Sequence, residues 1–290
     1  MNIINEILNG VWAIEKQMAD GHLLIVKAML EGKSIRPEAS ELERAKQRMA
    51  DFACVSSGVV HRLSTQGFEV SPEMAPENSV ALIAVSGAIT KNDQSCGPAG
   101  MKTKSDLIKR CDANPNINSI ILQIESGGGE GYAARHLCET IKNTQKPVIA
   151  FVEDLAASAA YYIASACNHI VVNTDMARVG SIGTYATIID YRGALEKEGI
   201  KMIEVYATKS NEKNKEYFDA INGDTSLLKK SMDVFNDRFL ADVAENRGSK
   251  MKSDWKTWGT GSVFFAPEAL KIGLIDEIDT LENTIKSLIK

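Results

Sequence analysis

From residue 79 onward the sequence predicts an α/β protein built on a parallel sheet, and three observations carry that expectation. Apolar runs of strand length recur, they are apolar at consecutive rather than alternate positions, and segments of helical periodicity separate them. Strands buried on both faces and joined by helices are the parts of βαβ units. In chain order they are a strand within SVALIAVSGAI (79–89), a helix near 102–112, a strand in INSIILQIES (117–126) and a helix over 133–144. PVIAFVEDL (147–155) and HIVVNT (169–174) supply two more strands. Ligands of such sheets bind beyond the carboxyl ends of the strands, which directs attention to the segments after Ile124, Val152 and Val205.

The region before residue 79 has a different texture. Ile4, Ile7, Leu8, Val11 and Trp12, then Leu24, Ile25, Ala28 and Met29, recur at helical spacing. Pro37 followed by ELERAKQRMADF reads as a further helix start. STQGFEVSPEMAPEN (64–78) holds two prolines, a glycine and few large apolar residues, the composition of a linker. The expected organisation is a helical N-terminal region over 1–63, a linker over 64–78 and an α/β domain over 79–290.

The totals exclude several classes of function. With 44% hydrophobic and 24% charged residues among 290, the chain has the composition of a globular protein. A net charge of -5 and the lack of a dense basic run leave nothing to neutralise a phosphate backbone, so nucleic acid is not an expected partner. Five scattered cysteines, with no CxxC or Cys/His spacing, indicate neither a disulfide framework nor a zinc site, and fit a reducing compartment. The N-terminus lacks the pattern of a secretory signal, and the longest apolar stretches reach about ten residues, roughly half a membrane span. A soluble, cytoplasmic protein with no membrane partner is expected.

Three segments could carry chemistry. ESGGGEG (125–131) follows a strand and precedes a helix, where backbone N–H groups form a nest for an anion or a developing oxyanion. A tight connection would use the same glycines; the spacing fits neither a dinucleotide fingerprint nor a phosphate loop. LAASAAYYIASACNHIVVN (155–173) puts Ser158 among alanines at a strand-to-helix junction, with room for a substrate backbone to reach the hydroxyl. Close packing at a buried helix start would also use small residues there, and Ser165 in the same segment reads as structural. RVGSIGTY (178–185) adds a glycine-flanked serine, Ser181.

A serine hydroxyl needs a base. Of the four histidines, His22 and His61 fall in the N-terminal region, His136 inside a helix and His169 at a helix-to-strand turn, and none makes a compelling triad. A desolvated lysine can serve instead, its pKa lowered from about 10.4 toward roughly 7 to 8. KSNEKNK (209–215) offers such lysines, although a run of this kind is by default a solvated face.

Taken together, these segments resemble the signal peptide peptidase A family of serine proteases, within the Clp protease and crotonase fold group. The resemblance runs in order over about Ser79 to Leu288; its most specific parts are AASAAYYIASACNHIVVN followed by GSIGTY, and the ending GSVFFAPEALKIGLIDEIDTLENTI. It implies a Clp protease/crotonase-like parallel-sheet core and a serine protease domain over 79–290. It further implies Ser158 as nucleophile, Ser181 as the hydroxyl that holds the base, and Gly128 and Gly129 as oxyanion donors. The base it implies is Lys213, reached with a one-residue shift in KSNEK, with Lys209 and Lys215 as alternatives. No cofactor or metal is implied. The chain departs from the family pattern in Ser158-Ala159-Ala160, where Ser-Gly-Gly is usual, and in Ser126-Gly127-Gly128-Gly129, where Ser-Pro-Gly-Gly is usual. Neither departure removes a catalytic atom; alanine for glycine restricts the backbone and narrows the site, which bears on substrate preference more than on mechanism.

Soluble relatives of similar size resemble the head-maturation proteases of tailed phages, so the expected substrates are proteins or peptides, with scaffold, capsid or portal proteins as partners. The expected setting is the host cytoplasm or the assembling prohead. A ring-like homo-oligomer is implied as well, in which Ser158 and its lysine can belong to different protomers. Three rivals stand beside this reading. They are a cytoplasmic signal-peptide-peptidase-like protease of the host, an inactive capsid or scaffold component with the same fold, and a crotonase-type acyl-CoA enzyme. The Ser158, Ser181 and KSNEK set argues against the last.

Overall fold

The computed structural model describes residues 12–14, 52–57, 59–61, 72–94 and 98–289, apart from 189, 191 and 202. Its centre is a sheet whose inner strands are β4 (Ser79–Ser86), β5 (Ile117–Ser126) and β7 (Val148–Ala157), parallel to one another. Beyond β7 the chain adds β8 (His169–Val172) and β9 (Arg178–Gly180), both parallel to β7. Helices α1 (Met101–Ala113), α2 (Gly131–Lys142) and α3 (Ala159–Ser165) make the crossovers. The α/β parallel-sheet core predicted from the sequence is therefore present, with most boundaries within a few residues of expectation.

The inner strands lack an apolar/polar alternation because each buries both faces. Ile120, Leu122, Ala150 and Val152 point into the larger core with α1, α2 and α3. Their neighbours Ile121, Ile149 and Phe151 enter a second core on the opposite face, closed by Ile285 of α9 (Leu281–Leu288). The two-residue period of a strand thus survives as a choice between two apolar layers.

The sheet's outer parts differ from expectation. The described residues among the first 63, apart from Ser57 in a turn, are strands: β1 (Trp12–Ile14), β2 (Phe52–Ser56) and β3 (Val59–His61). This corrects the helical reading at those positions. FACVS and VVH carry β-branched and aromatic residues; the edge of β4 offers hydrogen bonds to the first, and β2 in turn to the second. β2 runs antiparallel to β4, so the sheet continues across the expected linker. The remaining residues of 1–63, and 62–71, lie outside the described residues. The strand expected before Val205 is also absent, since residues 203–207 have no regular structure and are exposed.

Toward the C-terminus, α4 (Arg192–Lys197) and α5 (Lys215–Ile221) precede the long α6 (Ser226–Arg247). The buried residues of α6 are Phe239, Asp242, Val243 and Arg247, all in its second half. Its first half and the segment before it stand off from the two cores. After the short α7 (Trp255–Trp258), β10 (Val263–Phe265) returns antiparallel to β9. α8 (Ala266–Ile272) and β11 (Glu277–Ile278), parallel to β8, lead into α9. No helix among the described residues is long and apolar enough to cross a membrane.

Candidate active site

Ser158 is the single residue between β7 and α3. Its φ of +56° and ψ of -118° lie where glycine is at home and an L side chain is strained, at a cost of about 1–3 kcal/mol. A serine held in this way at a strand-to-helix turn is the placement that aims a nucleophile out of a sheet. The alanines around it, Ala156, Ala157, Ala159 and Ala160, are fully buried, which accounts for the small-residue segment as packing. Ser158 N–H donates to Gly180 O at 2.7 Å, and its own carbonyl accepts from Tyr162 N at 2.9 Å.

The two tyrosines that follow fix α3. Tyr161 Oη donates to Leu274 O at 2.7 Å. Tyr162 Oη hydrogen-bonds the Asp242 carboxylate, and its ring stacks on Phe239 at 4.6 Å between centroids. Asp242 is itself held by Arg238 at 2.6 Å. Burial pushes both phenols well above their ordinary pKa, so they stay protonated donors. Ser165 is structural, as expected: its Oγ donates to Tyr162 O at 2.7 Å and accepts from Asn246 Nδ2 at 3.0 Å.

The glycine run forms β6 (Gly128–Glu130), directly after β5. Ser126 pairs across the sheet with Ala156, so the glycines and Ser158 leave the same end of neighbouring strands. Gly128 has a φ of +104°, which a side chain would strain. Gly129 is needed for a second reason: a Cβ there would stand 2.2 Å from Ile89 O. One edge of β6 is taken by Ile89, whose N–H donates to Gly128 O at 3.0 Å and whose carbonyl accepts from Glu130 N at 2.8 Å. Gly128 N–H donates to Ser126 Oγ at 3.1 Å, and Ser126 Oγ in turn donates to Gly87 O at 2.6 Å. Because successive residues of a strand direct their N–H groups to opposite sides, Gly129 N–H faces the other edge. The two glycines are therefore not equivalent. A donor that the sequence reading missed is Ala159 N–H, at the start of α3, where first-turn N–H groups have no intrahelical acceptor. The signal for it was its position immediately after the serine.

Ser181 follows Gly180, the residue that accepts from Ser158, so the structure brings the two serines' backbones together. Its φ is +52°, and its N–H donates to Ser262 O at 2.6 Å. It lines a cleft of about 930 Å³ with Thr184, Lys229, Met232, Asn236 and Gly261.

The lysines lie apart from this group. Lys209, Lys213 and Lys215 are exposed on the stretch leading into α5. Lys215 pairs with Glu212 at 3.3 Å, whereas Lys213 Nζ has no hydrogen-bond or ion-pair partner among the described residues. Histidine offers no substitute among the side chains described. His136 is exposed on α2, and His169 begins β8, at the opposite end of the sheet, beside Asp276 and Glu277.

The parallel α/β sheet delivers a strained serine, a glycine strand and a second serine to one end, which makes that end the candidate site. The chain belongs to peptidase family S49, whose model matches residues 140–290. Protease 4 of Haemophilus influenzae is 25% identical over 218 residues, covering 72% of this chain and 34% of that protein. Capsid assembly protease C of Escherichia phage lambda is 28% identical over 207 residues, covering 69% of this chain and 46% of that protein. A solved structure of a membrane-bound stomatin-specific protease with a substrate peptide aligns at a TM-score of 0.43 and 19% identity, covering 74% of this chain and 80% of that one. The chain spans 34% to 59% of the length of the first curated relatives it matches.

Proposed function

We propose that the protein is a serine endopeptidase in which Ser158 is the nucleophile and Lys213 the general base. The observation that carries this reading is the backbone of Ser158, held at positive φ beside the glycine strand. In the proposed reaction Ser158 Oγ attacks the scissile carbonyl carbon as its proton passes to Lys213 Nζ. The tetrahedral oxyanion is met by backbone N–H groups of the glycine strand, with Gly129 facing outward and Gly128 free to join once it leaves Ser126. Ala159 N–H adds a donor. Collapse expels the amine, which takes the proton from Lys213, and leaves an acyl-enzyme. Water, deprotonated by the same lysine, then releases the second product and restores Ser158. Ser181 acts as a positioning residue for the lysine amine.

A lysine serves as base only when removed from water. In the single chain Lys213 is exposed, as are Ile200, Ile203 and Val205 on the same stretch, the last two at 77% and 88%. Exposed apolar side chains beside the base support a homo-oligomer in which a neighbouring copy covers this stretch and brings Lys213 to its own Ser158. The likeness to lambda's capsid assembly protease supports phage or prophage head maturation as the biological setting, with scaffold or capsid proteins as substrates.

The test is covalent labelling by a fluorophosphonate probe together with digestion of casein. The native protein is expected to do both, and Ser158→Ala and Lys213→Ala to do neither. Mixing the two inactive variants should restore up to about a quarter of native activity if the dyad spans two copies. Labelling that survives Ser158→Ala would sink the assignment. Activity that survives Lys213→Ala but not Lys209→Ala or Lys215→Ala would move the base. Gly129→Ala is expected to lose about 10² to 10³ in rate by the displacement of one oxyanion donor. It should also lower the thermal midpoint, since the new Cβ meets Ile89 O. Native rates in that variant would remove Gly129 from the site.

A further inference from the structure

We infer that strand β1 is a built-in occupant of the enzyme's peptide-binding edge, with residues 12–14 lying where a substrate backbone pairs and holding the site closed until a peptide displaces them. The inference rests on the serine-protease reading above.

β1 pairs antiparallel with β6, with Trp12 opposite Glu130, Ala13 opposite Gly129 and Ile14 opposite Gly128. Ile89 already fills the inner edge of β6, so β1 takes the only edge left to an incoming chain, the edge toward which Gly129 N–H is directed. An extended peptide that adds itself to a strand edge obtains its affinity from the same main-chain hydrogen bonds. The pairing is also cheap to undo. β1 and β6 form a separate two-stranded sheet of three-residue strands, outside the main sheet, and so small a sheet is marginal on its own. Ser158 is only 1% exposed as a residue, and the three-residue strand along the neighbouring glycine edge has few bonds to break. Because backbone groups carry the contact, the preferred occupant is an extended segment of any protein. The pattern Trp-Ala-Ile points to a small residue opposite Gly129, flanked by apolar ones.

The experiment compares the native full chain with full-chain Ala13→Pro, whose residue 13 has no N–H to give to the pairing. If β1 holds the edge, Ala13→Pro should label with the fluorophosphonate probe and cleave casein about tenfold faster at low substrate concentration. A synthetic peptide of residues 9–17 (NGVWAIEKQ) should inhibit both proteins competitively, and the variant more strongly, where a scrambled peptide does not. If the native chain labels at Ser158 and Ala13→Pro merely matches it, this inference is overturned while the protease reading stands. If neither labels, the protease reading itself falls. Should circular dichroism show Ala13→Pro unfolded, the peptide on the native protein decides: inhibition beyond the scrambled control supports the inference, and its absence overturns it. Activation of the native enzyme by dilution alone would assign the strand to a neighbouring copy and overturn the intrachain form.

Discussion

Ser158→Gly is expected to abolish proteolysis and at the same time to raise the protein's stability. The two effects have one cause. At φ +56° and ψ -118° the serine holds a conformation that costs about 1–3 kcal/mol for an L residue and almost nothing for glycine. Its Oγ has no hydrogen-bond partner among the described residues, so its loss removes no native bond there. Relief of strain, less the greater chain entropy of glycine, leaves a gain of about 1 kcal/mol. Loss of the nucleophile should cost about 10⁴ to 10⁶ in rate. Ser158→Ala should match the loss of rate without the gain in stability, because alanine keeps the Cβ and therefore the strain. Casein digestion and thermal unfolding on the three proteins measure both effects. Retained activity in Ser158→Gly would move the nucleophile elsewhere, and a lowered midpoint would deny that the turn is strained.

The largest effect on stability should follow Arg247→Met. Arg247 is 2% exposed, and its guanidinium clamps Asp276 through Nη2 to Oδ1 at 2.8 Å and Nη1 to Oδ2 at 3.0 Å, while Nε donates to Gly273 O at 3.0 Å. Asp276 also accepts from Ile170 N at 2.8 Å and meets Lys250 at 3.2 Å, so the clamp ties the end of α6 to β8 and the C-terminal segment. Removing one partner of a buried pair leaves the other charge poorly compensated, at a cost of about 3–5 kcal/mol.

The pH dependence follows from the carboxylate. Burial pushes Asp276 up, but Arg247 and the other donors outweigh it and hold its pKa at about 2, below the usual 3.8. A depressed folded-state value contributes stability that is present above the unfolded value and is lost as pH falls from about 4 toward 2. In Arg247→Met that depression shrinks. The variant's deficit should therefore be full at pH 7 and smaller near pH 3, where protonation removes the stranded charge. Urea unfolding at both pH values reads it. An equal deficit at both would mean that Arg247 acts by packing alone.

Several elements were legible in the sequence because they depend on neighbours along the chain. INSIILQIES forms β5 at the expected residues, and Ser158 falls between a strand and a helix as its alanine surroundings indicated. What failed was the reading of segments whose state depends on distant partners. FACVS took the edge of β4 and VVH the edge of FACVS, although the residues before them carry helical spacing. Ile200 and Ile203, before Val205, form no strand, and no described strand of the sheet pairs with them.

The same division runs through the site. The residue types and their order along the chain marked Ser158, Ser181 and the glycine run as possible chemistry, because a strand end followed by small residues is a local pattern. The difference between Gly128 and Gly129 came only with the tertiary structure, since it depends on Ile89 and Ser126 reaching across from other strands. The same is true of the tyrosines that anchor α3 to Leu274 and Asp242, more than 70 residues away. The sequence by itself determined that this chain would build a parallel α/β core and put a serine at the end of its third parallel strand, since burial on both faces and small side chains at a turn are written residue by residue. Only the tertiary structure decided which backbone N–H groups point outward, and that β1 lies along them, because hydrogen-bond direction is set by pairing in space.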